Sequence, residues 1–276
     1  MVFRTAILLG FISVTQTHPA LVYSQPAATP VKAVQGPLKL IKTDADAGLE
    51  LWQTALGQLW IPQPGYYVIK HLEWEETVEK VYDHPLVHVH SDDVVIDCGA
   101  HIGGFTRVAL QAGARLVVAI EPEEANLRAF RRNLERELKS SRVILISKGV
   151  WETAGKLPLH LSTTGDSHSI IFAQKGPGDA EIEVTTLDVL AGELGLEKVD
   201  FIKMDIEGSE ANALRGARHV LERWKPRLAL SGYHVKGDPA TLCALVWGTR
   251  SDYLVTTKDL IKAPHGATVP KVLFFY

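Results

Sequence analysis

Val94-Val95-Ile96-Asp97-Cys98-Gly99-Ala100-His101-Ile102-Gly103-Gly104-Phe105-Thr106 decides how the rest of this chain is read. A short apolar run stops at an acidic residue, a glycine turn follows, and a helix begins. Gly99 permits a sharp turn, and Gly103 and Gly104 are expected to leave room for a ligand beside the helix start. The N–H groups and positive end of such a helix suit a carboxylate or a phosphate. Spacing narrows the choice. A dinucleotide fingerprint requires G-x-G-x-x-G, and His101 stands where its second glycine belongs. The pattern here is D-x-G-x-x-x-G, with Asp97 at the end of the strand.

A second acid follows at the expected distance. Arg115-Leu-Val-Val-Ala-Ile120 reads as the next buried strand, closed by Glu121-Pro122. Nucleotide-type folds place an acidic residue about 20 residues beyond the glycine loop, at the second strand's tip, to accept hydrogen bonds from ribose hydroxyls. Glu121 fits that role, and Pro122 suits the first turn of the following helix.

With 276 residues the chain can bury the core of one α/β domain with extensions. Lysine and arginine total 29 against 32 acidic residues, so no basic field marks a nucleic-acid partner. Cys98 and Cys243 form no C-x-x-C and no disulfide framework. Residues 1–37 divide into a signal-like segment and a Pro- and Ala-rich linker. Arg4, the apolar run 6–14 and the cleavage-like Val22-Tyr23-Ser24-Gln25 match a secretory signal in length and order. That segment is too short to span a membrane.

Residues 38–92 carry Trp52, Trp60, Tyr66, Tyr67 and Trp74 and are expected to form a small helix-and-strand cap. From residue 93 to 276 the pattern alternates. A helix is expected over 103–112, and a second over 123–139 with Leu127, Phe130, Leu134 and Leu138 on one face. Strands are expected at 143–146, 156–162, 181–186, 200–205, 228–230, 253–257 and 272–276, with Leu214, Ala217, Leu221 and Trp224 on the helix after the fourth core strand. Such alternation makes a mostly parallel sheet covered on both faces, with ligands beyond the carboxyl ends of its strands. Asp97, Glu121, residues 148–151, Asp205 and residues 231–234 all fall at those ends.

The glycine loop and Glu121 resemble the cofactor site of class I S-adenosylmethionine (SAM)-dependent methyltransferases. With the block Asp200-Phe-Ile-Lys203-Met-Asp205-Ile-Glu207-Gly208-Ser-Glu210, the resemblance becomes that of the FkbM family, over residues 60 to 240. The family pattern is D-x-G-A-N-x-G, then E-P, then K-x-D-x-E-G-x-E. His101 departs from it where asparagine is usual, and Leu230-Ser231-Gly232-Tyr233-His234 departs where a glutamate is common near Ser231. The resemblance implies a Rossmann-like, mostly parallel seven-stranded sheet and methyl transfer from SAM to a hydroxyl of a small-molecule, sugar or lipid acceptor. It places Asp97, Gly99, His101, Gly103, Glu121, Gly149, Val150 and Asp205 at the cofactor.

An alcohol acceptor must lose a proton, so a carboxylate or histidine is expected beside it. Asp205 and His234 are the candidates, with His234 the better-tuned base near neutral pH. Asp205 has an alternative role in holding the amino group of SAM or in ordering the Glu207-Gly208 turn. Glu207 and Glu210 read as helix-start acids, and Lys203 as a partner for one of them. His88 and His90 read as one polar strand face rather than, with His84 and His101, a metal site. His168 lies in a polar loop. Trp151 is expected to stack near adenine or to cover the sheet. A metal-dependent methyltransferase of the catechol type is the rival within the class; it needs a second carboxylate or asparagine at the fifth strand's end beside Asp205, where Ser231-Gly232-Tyr233-His234 stands instead, so no metal is expected. Two readings outside this class are an NAD-dependent oxidoreductase, weakened by His101, and an exported, non-catalytic protein of the same fold. The cofactor favours a cytoplasmic protein over an exported one.

Overall fold

Strand alternation builds two apolar layers around one sheet. In β1 (Val94–Cys98), Ile96 and Cys98 face one side, while Val95 and Asp97 face the other. The same parity holds in β2 (Leu116–Ile120), with Val118 and Ile120 opposite Val117 and Ala119, and in β4 (Phe201–Met204), with Ile202 and Met204 opposite Phe201 and Lys203. Each fully buried aliphatic contributes about 1.5–3 kcal/mol. The computed structural model describes residues 22–23, 38–159 and 180–276. The signal-like segment and linker (apart from 22–23), the end of the strand expected at 156–162, and the loop with His168 lie outside the described residues.

β3 (Val143–Ile146), β5 (Arg227–Ser231), β6 (Val255–Thr257) and β7 (Val272–Phe275) complete a seven-stranded sheet in the order β6-β7-β5-β4-β1-β2-β3, with Val22–Tyr23 paired along β6. Only β7 runs antiparallel to its neighbours among the seven. The chain steps outward from β1 to β3, then returns to β4 on the other side of β1. That reversal opens a crevice beyond the ends of β1 and β4.

Several elements differ from the sequence pattern. The helix expected over 123–139 breaks into Glu124–Asn133 and Glu135–Lys139 at Leu134, whose ψ of 28° leaves the helical range. Glu123 caps the first piece by accepting from Asn126 N at 2.6 Å, so Pro122 stands before the helix rather than in it. The helix after β4 is likewise two pieces, Glu210–Arg215 and Arg218–Trp224. Leu187–Glu193 and Asp238–Thr249 had no expected counterpart; the first is short, and the second is apolar on most sides and lacks a periodic stripe. His88 and His90 lie in a loop rather than a strand, with their rings 4.6 Å apart. Trp151 covers a small cluster with Leu159, Ile182 and Val184.

Ahead of β1, three antiparallel strands (Lys39–Asp44, Leu49–Thr54, Gly57–Pro62) lead into the helix Tyr66–Trp74 and the π-helical turn Glu75–Glu79. Leu49, Leu59, Ile61 and Ile69 bury themselves against Ile102 and Ala129. Arg107 donates to Leu56 O, Gln58 O and Asn133 O at 2.9, 3.0 and 2.8 Å. Asn133 bonds both Trp60 O and Ile102 O. These ties hold helix Tyr66–Trp74 over the glycine loop, where it forms a wall of the crevice.

Candidate active site

At the crevice the β1 loop folds over the tip of β2. Gly99 N and Ala100 N both donate to Ile120 O at 3.0 Å, and His101 N donates to Glu121 Oε2 at 2.9 Å. A Cβ on Gly99 would stand 1.9 Å from the Asp205 carbonyl, so only glycine lets the tips of β1 and β4 meet. His101 has φ of +51°, a left-handed conformation that histidine and asparagine enter more readily than most residues. That explains why His101 can stand where the family pattern has asparagine.

A cavity of about 640 Å³ opens beyond this loop. Of the residues expected at the cofactor, Gly99, His101, Glu121, Gly149, Val150 and Asp205 line it, and His234 lines it too. Asp97 and Gly103 do not. Strand parity turns Asp97 under the helix Gly104–Gln111, where Oδ2 accepts from Thr106 Oγ1 at 2.7 Å and Oδ1 lies 3.1 Å from Lys203 Nζ. Asp97 and Lys203 are register partners on neighbouring strands. Lys203 therefore pairs with Asp97 and not, as expected, with Glu207 or Glu210. It also donates to Cys98 O and Gly99 O at 3.2 and 2.7 Å, which fixes the loop from below. Burial opposes its charge, but Asp97, Asp205 and Glu76 outweigh that and raise its pKa. Gly103 leaves room for protein rather than ligand, since a Cβ there would meet Leu134 at 2.7 Å; Gly104 does line the cavity, and a Cβ on it would also press on Leu72 at 3.0 Å.

Glu121 sits at one end of the cavity. Its Oε1 accepts from Glu123 N at 2.9 Å and Asn126 Nδ2 at 3.3 Å. Burial pushes its carboxyl up to about 7, against the pull of the N–H groups of Glu123 and His101 and the side chain of Asn126. Beyond it, Ile120, Val150 and Leu159 add an apolar wall able to take a flat ring.

At the other end, Asp205 Oδ2 accepts from Tyr82 Oη at 2.5 Å, and its Oδ1 lies 3.4 Å from His234 Nε2. The same nitrogen is 3.5 Å from Glu207 Oε2, and His234 Nδ1 is 3.1 Å from Glu210 Oε1. Burial opposes a charge on His234, but the bond to Glu210 and the fields of Glu210, Asp205 and Glu207 raise it to about 10. This environment favours the imidazolium at neutral pH, which makes His234 a poorer base than expected and Asp205 the better proton acceptor of the two. Asp205 is held low: burial works the other way, but His234, Lys203 and Tyr82 overcome it. Glu210 does start a helix, yet it is fully buried and holds Ile206 N at 2.9 Å as well as His234. The rim thus has the further oxygen ligands that the sequence had not suggested. Asp205, Glu210 and His234 offer atoms within 4.8 Å of one another, a set that fits either a proton on His234 or a metal ion.

Three contributors carried no sequence signal, and a fourth, Tyr233, was legible only as part of the strand end 231–234. Tyr82 reaches Asp205 across 123 positions, and Asn126 and Glu76 look like surface residues of polar helices; the Tyr233 ring lies tilted against His234, 4.1 Å between centroids. Asp205 and the burial of Tyr233 raise the Tyr233 phenol.

Residues 97–245 match the family described as the methyltransferase FkbM domain. Methyltransferase sdnD of Sordaria araneosa is 24% identical over 204 residues, 58% of this chain and 79% of that protein. Methyltransferase 1 of Beauveria bassiana is 24% identical over 201 residues, 64% of this chain and 79% of its own length. Among solved structures, methyltransferase FkbM from Methylobacillus flagellatus superposes with a TM-score of 0.52 at 28% identity, over 71% of this chain. The chain spans 47% of that protein's length.

Proposed function

We propose, from the premise that the chain belongs to the FkbM family of SAM-dependent methyltransferases, that it methylates a hydroxyl group on a small-molecule, sugar or lipid acceptor. The observation that carries this reading is one continuous cavity with Glu121 at one end and the Asp205–His234 pair at the other. The cavity suits SAM: its volume is in the range of ligand sites, its floor is the glycine loop, and Glu121 offers acceptors to ribose hydroxyls. When bound, SAM supplies an electrophilic methyl group on a sulfonium.

The residues supply position and field. Asp205, kept ionised by His234 and Lys203, accepts a hydrogen bond from the acceptor hydroxyl and orients its oxygen for in-line attack. As that oxygen becomes positive, the carboxylate stabilises it and receives the proton late. His234 and Tyr82 hold the two carboxylate oxygens in place. The acids Glu75, Asp205 and Glu207 on the wall disfavour a polyanion such as nucleic acid as acceptor. Among the described residues no helix is long and apolar enough to cross a membrane. The supply of SAM favours action in the cytoplasm, which N-terminal sequencing of the mature protein tests.

Methyl-labelled SAM incubated with fractions of sugars, lipids and phenolic small molecules is expected to label an alkali-stable ether. Label appearing only on nitrogen or carbon, with the protein active, would overturn the hydroxyl assignment.

A further inference from the structure

Five carboxyl groups face the cavity, and four of them are already engaged. Glu75 pairs with Lys271 at 3.1 Å and with His71 at 3.2 Å. Glu121 takes N–H groups of the loop and of the following helix. Asp205 and Glu207 face His234. Glu76 alone makes no hydrogen bond or ion pair with any described residue. Lys203, its nearest source of positive field, has already spent its donors on Asp97, Cys98 O and Gly99 O.

The position of Glu76 is built by the backbone. Residues 67, 68, 71, 72, 75 and 76 all line the cavity, a helical stripe that the π-helical turn Glu75–Glu79 extends to two consecutive acids. Such single π turns are frequent at functional sites. The wall they form stands against the helix Gly104–Gln111, with Leu72 over Gly104 and Tyr82 edge-on to Phe105 at 5.6 Å.

Sheet order then says what reaches Glu76. With ribose at Glu121 on β2, the ligand extends along β1 toward β4, away from the apolar wall at Val150 and Leu159. Its amino-acid end would then approach Gly99, Phe105 and Glu76, which line the cavity around Lys203. We propose that Glu76 is the counter-ion for the α-ammonium group of SAM, a subsite that rests on the SAM-dependent reading above. Asp97 cannot fill that role, because it is buried beneath the loop. Burial pushes the Glu76 carboxyl up to about 8; Lys203 pulls it down, while Asp97, Glu75 and Asp205 add to the rise. Near pH 7 it is mostly protonated in the free enzyme, and an arriving ammonium would drive the proton off.

Calorimetry of the full chain with S-adenosylhomocysteine and with 5′-methylthioadenosine, which lacks the amino-acid end, tests this. At pH 8, Glu76→Gln is expected to bind S-adenosylhomocysteine at least tenfold more weakly, and methylthioadenosine within twofold of wild type. Methylthioadenosine binding also certifies that the variant is folded. Should the variant not fold, wild-type titrations at pH 7 in two buffers of different ionisation enthalpy still decide. S-adenosylhomocysteine is expected to release more protons than methylthioadenosine, by up to one. Unchanged S-adenosylhomocysteine affinity in Glu76→Gln, equal weakening of both ligands, or equal proton release would each overturn the proposal. Failure of the wild type to bind either ligand would instead overturn the SAM-dependent reading itself.

Discussion

Replacing Glu121 by glutamine separates the demands of ligand binding from those of folding. The carboxyl is buried and raised to about 7, above its ordinary 4.5. A raised carboxyl contributes stability that is complete below pH 4.5 and lost as pH rises through 7. The gap corresponds to about 3 kcal/mol of cost once the group must ionise. Glutamine removes that cost but presents an NH₂ to one of the N–H donors of His101, Glu123 or Asn126, at about 1–2 kcal/mol. The net expectation is a variant more stable than wild type by about 1–2 kcal/mol at pH 8 and no more stable at pH 4.5. Ligand binding moves the other way. Losing charge-assisted bonds to two ribose hydroxyls costs about 1.5–3 kcal/mol, roughly ten- to hundredfold in affinity. Methylthioadenosine is weakened along with S-adenosylhomocysteine, unlike the Glu76 case, and wild-type affinity falls as pH drops below 7. Urea titrations at both pH values and calorimetry with both ligands measure these effects. Unchanged affinity would refute the cofactor placement, and unchanged stability at pH 8 would refute the buried-charge reasoning.

His234→Ala is expected to lower turnover at least ~10-fold while leaving S-adenosylhomocysteine affinity within a few-fold. The acid limb of its pH–rate profile should move upward, because Asp205 loses the cation that holds it low; an unmoved profile would remove His234 from the mechanism. Lys203→Met strands Asp97 without its ion partner and should cost about 3–5 kcal/mol in urea unfolding, most of it recovered in the Asp97→Leu double variant. A loss below about 1 kcal/mol would mean that this pair does not support the loop. Activity is expected to survive exhaustive chelation, since a proton on His234 fills the centre of its carboxylate cluster. Restoration by magnesium or manganese after chelator loss would make Asp205, Glu210 and His234 metal ligands.

The sequence by itself determined the architecture and where along the sheet the cavity opens. Apolar strands ending in Asp97, Glu121 and Asp205, separated by amphipathic helices, are local patterns, and sheet physics places their ends together. Glycine at position 99 and histidine at position 101 likewise bear on local backbone shape. Only the tertiary structure decided which way side chains turn and what charge they carry. Strand parity sent Asp97 beneath the loop to Lys203, a pairing fixed by the register between β1 and β4 and invisible in either segment alone. His234 looked like a base because its ordinary pKa lies near neutrality. Three carboxylates converge on it from the turn after β4 and make it a cation, and that convergence is long-range. Tyr82 and Glu76 reached the cavity for the same reason: their elements precede β1 in the chain but pack over its end. Periodicity reports a residue's neighbours along the chain, while its charge state and reach depend on neighbours brought in across the fold.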